Sequence, residues 1–251
     1  AELLRDAVRL RLRSDVPVGT HLSGGLDSSA IACLAAPQLD APLSVFTGGF
    51  TAANRYDESR YALIVAESLG AQYHQVFPTA QDLAGSLEEM VYYLDEPVAG
   101  AAVFPQYFLS KLASQHVKVV LGGQGGDELF CGYTRYLIGY VESCLQKAIY
   151  GSAPLVGGES LSSIQESLTY LRGFEPTMQK LFASDLFADP GARYYRLLQR
   201  SQDMEGILAN SGWRDGGYST AEAFCAEFNG VQSNELIDRM LYIDIKNHLQ
   251  S

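Results

Sequence analysis

The sequence predicts an α/β fold: a parallel β-sheet with helices on both faces, followed by a mostly helical subdomain. Short apolar runs alternate with helical patterns through the first half of the chain, which is typical of strand–helix–strand units in a parallel sheet. Two glycine-rich turns each follow an apolar run and precede a helical pattern. In the second half, apolar residues recur only at helical spacing.

The first element is an amphipathic helix at the amino terminus, which we expect to pack on the protein through one apolar stripe: Leu3, Leu4, Val8 and Leu10. Strands are predicted at residues 18–22, 43–48, 72–77 and 117–122. Helices are predicted between them at residues 28–36, 57–70, 80–94 and 104–115. In an open parallel sheet the binding crevice lies at the carboxyl ends of the strands, so we expect ligands at that edge.

Two helix boundaries are marked by particular residues. Gly70 is predicted to end one helix, and Thr79 with Asp82 is predicted to start the next.

The boundary between the α/β core and the helical part is predicted near residue 150. Residues 1–150 would form the core and residues 151–251 the helical part. Within the latter, the Gly-, Ser- and Pro-rich stretch 151–163 predicts a loop, and residues 164–174 and 235–249 have helical patterns. Because the sequence begins without Met and stops within a helical pattern, we expect it to be a segment of a longer protein.

The bulk composition excludes several classes of partner. The formal net charge of -11 argues against a nucleic-acid partner. A nucleotide remains compatible with this charge, because backbone N–H groups and a metal ion can hold phosphates. The sequence has neither an apolar run of the roughly 18 residues that a membrane span needs nor a signal peptide. We therefore expect a cytoplasmic protein with no membrane partner.

The cysteines and histidines lack the spacing of a metal or redox site. There is no C-x-x-C pair, and buried reduced thiols are expected at Cys33, Cys131, Cys144 and Cys225. The histidines are equally scattered: His21, His74, His116 and His248. We expect none of them to bind a structural metal.

The first glycine-rich turn, 22-LSGGLDSSA-30, has the features of a phosphate site. Gly24 and Gly25 carry no Cβ, so the backbone can turn sharply and approach a ligand. Hydroxyl donors are added by three serines: Ser23, Ser28 and Ser29. Asp27 would repel bare phosphate, and it fits this turn if Mg²⁺ lies between carboxylate and phosphates. The turn lacks G-K-[ST] and is not a Walker A loop; a tight turn with an Asp/Ser helix cap is the alternative.

The second glycine-rich turn, 119-VVLGGQGGDELFCGY-133, resembles the first in order: apolar run, glycines, then Asp127 and Glu128. Loops at the ends of two parallel strands can face each other, so Asp27 and Asp127 are expected to flank one Mg²⁺. The alternative is that Asp127 and Glu128 are first-turn acids that complement a helix dipole.

These residues together resemble a known family. The string 13-RSDVPVGTHLSGGLDSS-29 is similar to the pyrophosphate loop of N-type ATP pyrophosphatases. With 122-GGQGGDELFCGY-133 it resembles the synthetase domain of glutamine-hydrolysing asparagine synthases, supported by residues 44–50, 57–76 and 95–97. The resemblance is strong over residues 1 to about 140 and weaker to the end. It implies an adenine-nucleotide α-hydrolase-like fold.

The resemblance also implies a reaction. In this family ATP activates a carboxylate as an acyl-adenylate and pyrophosphate leaves. Ammonia then displaces AMP to give an amide. The implied small molecules are ATP with Mg²⁺, aspartate or another carboxylate, and ammonia.

The family's roles carry over to matching positions. The pyrophosphate would lie on Ser23, Gly24, Gly25, Asp27, Ser28 and Ser29. Asp27 and Asp127 would hold Mg²⁺, and Leu22 and Gly48 would meet the adenosine largely through backbone atoms. Gly122 and Gly123 would line the nucleotide and acyl side. The implied catalytic positions are Ser23, Gln124 and Asp127.

One position departs from the family pattern. The second motif usually reads S-G-E-G-x-D-E, and its glutamate is thought to take part in adenylation and proton transfer. Here Gln124 stands in its place, and an amide is not a general base near neutral pH. This favours a relative that acts on another carboxylate or uses a base elsewhere, with Glu128 the nearest carboxylate. A sugar-acid amidotransferase, a lactam-forming cyclase and a non-catalytic nucleotide-binding module therefore stay open.

The resemblance implies further parts of a parent chain. A glutaminase domain would precede residue 1, and a segment lining the site would follow Ser251, so we expect the isolated segment to be poorly active. A homodimer is compatible with the sequence.

Three positions beside the motifs have two interpretations each. His21 is expected to serve packing rather than catalysis. Asp95 and Glu96 would form a loop or a substrate wall. Arg135 would contact an acidic substrate or lie on a solvated helix face.

Overall fold

The computed structural model describes residues 1–49, 57–94, 102–150, 164, 171–174, 179, 188–199 and 219–249. The chain divides into two compact units, Ala1–Gln124 and Gly125–Ser251.

The first unit contains a four-stranded parallel sheet. Its strands are β1 (Val18–His21), β2 (Ser44–Gly48), β3 (Gln72–Val76) and β4 (Val119–Leu121). They lie in the order β3-β2-β1-β4, and every neighbouring pair is parallel. The four predicted strands and the parallel sheet are confirmed.

The helices of this unit follow the predicted alternation. They are α1 (Glu2–Arg11), α2 (Leu26–Ala35), α3 (Ser59–Leu69), α4 (Ala80–Leu94) and α5 (Val103–Ala113). A 3-10 turn, Ala36–Gln38, extends α2. Both marked boundaries are confirmed. Gly70 ends α3 in the left-handed conformation, and at the start of α4 the Thr79 amide donates to Asp82 at 2.8 Å while the Asp82 amide donates to Thr79 at 3.2 Å.

Neighbouring residues of β2 show that helices cover both faces of the sheet. Val45 is buried in a core with residues of α1, α2 and α3. Phe46, the next residue, points to the opposite face and packs against Ala113 of α5 and Val117. Gly19 of β1 leaves room for the Phe46 ring, since a Cβ there would lie 2.6 Å from it. The predicted two-faced architecture is confirmed.

The strand order reverses at β1. The chain runs from β1 through β2 to β3 on one side, and β4 returns to pair with the other side of β1. Such a reversal opens a crevice at the carboxyl ends of the two strands, here β1 and β4. The two glycine-rich turns begin at these two ends.

The second unit is helical wherever it is described. Its α-helices are α6 (Gly126–Phe130), α7 (Thr134–Tyr150), α8 (Pro190–Leu198), α9 (Thr220–Gly230) and α10 (Leu236–His248), with a 3-10 turn at Arg172–Phe174. The helix predicted over 235–249 is confirmed. The predicted loop 151–163, most of 164–174, and Asp95 and Glu96 lie outside the described residues.

A buried carboxylate links three elements of this unit. Asp244 of α10 is fully buried and accepts hydrogen bonds from Arg135 and Tyr136 of α7 and from Tyr194 of α8. Burial and the Asp244 hydrogen bond raise the pKa of Tyr194 above its usual range. Arg135 is therefore neither on a solvated helix face nor free for an acidic substrate, as the sequence had suggested; its partner is Asp244.

Two further findings concern the predictions from composition. None of the helices within the described ranges is long and apolar enough to cross a membrane. The thiols of Cys33 and Cys131 are exposed, Cys225 is half-buried and Cys144 is buried. The prediction of buried thiols was therefore wrong for Cys33 and Cys131, because a lone cysteine pattern does not reveal which face of a helix or turn it occupies.

Candidate functional site

The first glycine-rich turn leaves β1 and enters α2 within a few residues. The Leu22 amide continues the strand ladder by donating to the Phe46 carbonyl at 2.9 Å. Gly24 then takes a left-handed conformation with φ of 89°. A Cβ at Gly24 would lie 2.8 Å from the Glu58 carbonyl oxygen and the Ala62 nitrogen. Only glycine fits this place, because both the backbone angle and the contact with α3 exclude a side chain.

The serine hydroxyls hold the shape of this turn. Ser28 Oγ accepts from the Ser23 amide at 3.1 Å and donates to the Gly25 carbonyl at 3.2 Å. Ser23 Oγ lies 2.9 Å from Ser28 Oγ and accepts from the Gly25 amide at 3.2 Å. Ser28 is buried, whereas Ser23 is exposed. Ser28 is thus a scaffold of the turn, and Ser23 presents a hydroxyl at its surface.

The start of α2 is uncapped. No side chain caps the helix at Gly25, and the first intrahelical bond of the turn is made by the Ser29 amide to the Gly25 carbonyl. The N–H groups of Leu26, Asp27 and Ser28 therefore have no intrahelical acceptor. Ser29 Oγ is buried and has no hydrogen-bond partner in the described part of the chain. Free N–H groups and the helix dipole favour an anion here.

The second glycine-rich turn packs against the first turn of α2. A Cβ at Gly123 would lie 2.9 Å from the Ser28 nitrogen and 3.1 Å from the Asp27 Cβ. Gln124 is exposed, and its amide oxygen occupies the place where a Cβ of Gly122 would stand. The structure thus brings Gly123 against Asp27 and Ser28, as expected for turns that leave neighbouring strands.

Leu22 and Gly48 lie at the carboxyl ends of β1 and β2. Leu22 is buried, and its carbonyl accepts a hydrogen bond of 2.7 Å from the Thr47 hydroxyl. An added Cβ at Gly48 would meet no atom of the described residues within 4 Å. The sequence did not reveal the role of Thr47, because a threonine within a strand gives no local sign of its hydrogen-bond partner.

The acidic residues of the second motif lie in the first turn of α6. Gly125 precedes α6 with φ of 88°, and Asp127 is partly exposed. Glu128 is buried and accepts a hydrogen bond of 2.9 Å from the Tyr133 hydroxyl. Burial, followed by the Glu128 contact, raises the pKa of Tyr133 to about 12. Glu128 therefore holds a tyrosine in place instead of facing solvent.

The donor set of the first turn fits Mg²⁺ bound together with phosphates. Mg²⁺ in nucleotide sites uses one or two carboxylates and takes its other ligands from phosphates and water. Asp27 supplies such a carboxylate at the mouth of an uncapped helix. Among the residues that the structure describes, no three His, Cys, Asp or Glu side chains gather as a metal site.

A cavity of about 460 Å³ lies elsewhere in the first unit, between α4 and α5. Its walls include Met90, Tyr93, Val103 and Tyr107, and its polar atoms come from side chains such as Gln106. None of the residues of the two glycine-rich turns lines it.

The fold and the two turns define a class of protein. A parallel sheet whose order reverses between two glycine-rich turns, with an uncapped helix beside a carboxylate, is typical of α/β proteins that bind phosphorylated ligands. The chain belongs to the asparagine synthase family, whose family model matches residues 1–251.

Curated relatives carry related names. A putative glutamine-hydrolysing asparagine synthetase of Mycobacterium tuberculosis is 46% identical over 134 residues, which are 53% of this chain and 20% of the relative. Asparagine synthetase 1 of Bacillus subtilis is 38% identical over 135 residues, 54% of this chain and 21% of the relative. Amidase chyE of Penicillium rubens is 32% identical over 147 residues, 53% of this chain and 22% of the relative. These matches span about a fifth of each relative's length.

Among solved structures, an NH3-dependent NAD synthetase from Campylobacter jejuni matches with a TM-score of 0.39 and 15% identity. The match covers 98% of this chain and 93% of that chain.

Proposed function

We propose that this chain is the synthetase domain of an ATP-dependent ligase that forms an amide. One observation carries the proposal: the uncapped start of α2 lies directly against the second glycine-rich turn at Gly123. The buried Ser29 hydroxyl nearby has no hydrogen-bond partner among the described residues. The contact between the two sequence motifs supports one site for a phosphorylated ligand. Family membership supports the reaction class.

The pyrophosphate of ATP is assigned to the first turn. The free N–H groups at the start of α2 and the exposed hydroxyl of Ser23 point to an anion, and Gly24 and Gly25 allow the backbone to approach it. Donors that are fixed before the reaction stabilise the charge that develops on the leaving pyrophosphate without reorganising. The buried Ser29 hydroxyl supplies one more donor. Ser28 keeps the turn in shape.

Mg²⁺ is assigned to Asp27, with Asp127 as the second carboxylate. When bound, the ion would offset the negative charge of the phosphates. Asp127 follows Gly123 by four residues in the chain, and its role as a ligand is a prediction from the motif.

The adenosine is assigned to the ends of β1 and β2. The open space at Gly48 among the described residues supports this assignment. The Leu22 carbonyl, held by Thr47, offers its second lone pair.

The substrate carboxylate is assigned to the side of Gly122, Gly123 and Gln124, and the proposed substrate is the β-carboxylate of aspartate, with asparagine as product. The names of the bacterial relatives support aspartate. A second candidate is another carboxylate in a sister amidotransferase or cyclase. It is favoured by Gln124, whose exposed neutral amide folds back over Gly122 and cannot act as the base that the family's glutamate provides.

We further propose that a cytoplasmic parent protein supplies ammonia from a glutaminase domain. The names of the relatives, which are glutamine-hydrolysing, support this assignment.

The test is ATP–pyrophosphate exchange by the parent protein with Mg²⁺, with and without aspartate. Exchange that requires aspartate would support the aspartate-activating ligase. Exchange absent with aspartate, despite tight Mg-ATP binding, would select another carboxylate. Weak Mg-ATP binding together with no exchange would reject the ligase proposal.

The metal assignment has its own variant. Asp27→Asn should weaken ATP binding strongly in the presence of Mg²⁺ and little in its absence, because the carboxylate acts on phosphate only through the ion. Asp40→Asn, an exposed carboxylate outside the turns, is the matched control and should bind as the wild type does. Equal ATP affinities of Asp27→Asn and wild type with Mg²⁺ would contradict the assignment.

A further inference from the structure

His21 is the last residue of β1 and lies at the reversal of strand order. On one side it pairs with Phe46 of β2. On the other side Thr20 pairs with Leu121 of β4, so His21 is level with Gly122, the first residue of the second turn. Paired residues of neighbouring strands point to the same face, which places the imidazole on the face that Phe46 shares with α5.

The hydrogen bond of His21 fixes its tautomer. Gln106 Nε2 of α5 lies 3.3 Å from His21 Nδ1. A carboxamide nitrogen only donates, so Nδ1 accepts and the ring proton resides on Nε2. Burial lowers the pKa of His21, which keeps the ring neutral near neutral pH. His21 thus presents a neutral Nε2–H donor.

This donor has no acceptor in the described part of the chain. His21 Nε2 is buried, and no residue in the described ranges forms a hydrogen bond with it. Native folds seldom leave a buried donor without an acceptor unless a bound molecule supplies one. An oxygen of a ligand bound where β1 and β4 end would complete this hydrogen bond.

We propose that His21 Nε2–H donates a hydrogen bond to an anionic oxygen of the substrate carboxylate, and that Gln106 is the positioning residue that holds its tautomer. The proposal rests on the proposed function and extends it. An ATP phosphate is the other source of an anionic oxygen. The carboxylate is favoured because α2 packs on the Val45 face of the sheet, whereas His21 lies on the opposite, Phe46 face.

The experiment measures ATP–pyrophosphate exchange by the parent protein against aspartate concentration, with Mg-ATP affinity measured separately. His21→Phe removes the donor and keeps an aromatic ring. It should raise the KM for aspartate roughly tenfold or more, as expected for a lost hydrogen bond to a charged group, and leave the Kd of Mg-ATP unchanged. His21→Gln retains an N–H donor and should recover part of the loss.

His74→Phe is the matched control. His74 lies on β3, and its Nε2 is also buried and unpartnered among the described residues, but its ring stacks on Phe46 away from the β1–β4 edge. It should change neither the KM nor the Kd. If His21→Phe does not fold, Gln106→Leu gives the second reading: it should raise the KM for aspartate in the same direction and leave Mg-ATP binding intact.

The outcomes separate the two proposals. Wild-type protein that binds Mg-ATP but shows no aspartate-dependent exchange rejects the aspartate function and with it the role of His21. Aspartate-dependent exchange whose KM is unchanged in His21→Phe, or in Gln106→Leu where that variant replaces it, rejects the His21 assignment alone. A weakened Mg-ATP affinity with an unchanged KM for aspartate would assign His21 to a phosphate instead and overturn the proposal.

Discussion

Buried polar groups behave differently in the two compact units. Near the turns of the first unit, three buried groups have no hydrogen-bond partner in the described chain: Thr20 Oγ1, His21 Nε2 and Ser29 Oγ. In the second unit, buried Arg193 pairs with Glu142 at 2.7 Å, and buried Asp244 binds Arg135 at 2.7 Å.

The difference separates polar groups that stabilise a fold from polar groups that are available to a ligand. A buried charge is tolerated when a partner compensates its desolvation, and the second unit provides partners from its own helices. An unpartnered buried donor destabilises a fold. Three of the four such groups in the described part of the first unit lie in β1 or at the start of α2, where a ligand site is predicted, and the fourth, His74 Nε2, lies on β3.

The largest effect is expected from removing the central carboxylate of the second unit. Asp244→Ala removes the buried carboxylate and leaves the half-buried Arg135 without its ion-pair partner, which should lower the free energy of unfolding by about 3 kcal/mol. Urea denaturation measures this. Asp238→Asn, on the same helix and exposed, should stay within about 0.5 kcal/mol of wild type. Equal stability of Asp244→Ala and wild type would remove the contrast between the units.

The next effect concerns the glycine of the first turn. Gly24→Ala should lower the free energy of unfolding by about 2 kcal/mol or more, because alanine is strained at a left-handed position and its Cβ would press on α3. Mg-ATP binding should be lost with it. Gly85→Ala is the control: outside the backbone of α4, its Cβ would meet no atom of the described residues within 4 Å, so stability should rise by about 0.5–1 kcal/mol. A Gly24→Ala protein with normal stability and ATP binding would contradict the prediction.

A pair of adjacent serines sharpens the comparison further. Ser29→Ala removes a hydroxyl that has no partner among the described residues, so stability should be kept while the Kd of Mg-ATP rises about tenfold. Ser28→Ala removes a hydroxyl with several partners in the turn and should lower stability by about 1 kcal/mol. Calorimetry of ATP binding and urea denaturation measure both. A reversed pattern would mean that Ser29 is the structural serine.

The smallest effect is a pH dependence of the first unit. Burial lowers the pKa of His21 and His74, and His116, whose ring lies 3.9 Å from His74, lowers the latter further. The histidines of the unfolded chain have a pKa of about 6.5. As the pH falls, the unfolded chain therefore binds protons before the folded chain does. Stability is complete above that pKa and should fall as the pH drops below it.

Urea midpoints at neutral and mildly acidic pH test this dependence. His116→Phe keeps a ring beside His74 without its charge and should reduce the loss in acid. Midpoints that do not change with pH in the wild type would contradict the prediction.

Local features of the sequence predicted most of the first unit. Glycines, apolar runs and caps act within a few residues of the chain, so strands and helices follow from them. The contact of Gly123 with Ser28 was also predictable, because parallel strands bring their carboxyl ends to one edge. Arg135 was not: its partner Asp244 is 109 positions away, and nothing in either segment identifies the other.

His21 illustrates a different limit. Its sequence position predicts a strand end, where a histidine is most often a packing residue. The structure is needed to show that Nε2 carries the ring proton, because Gln106, far along the chain, lies 3.3 Å from Nδ1. A tautomer is a property of the folded neighbourhood, and it has no sequence signal.

The strand order has a consequence for how the protein is made. The central strand β1 pairs with β4 through Val18 and Val119, about a hundred residues apart, which a ribosome synthesises in roughly 5–20 s. Until then one edge of β1 is an open template for other chains. The nascent chain is therefore most exposed to aggregation during this interval, and Gly123 reaches its contact with Ser28 only at the end of it.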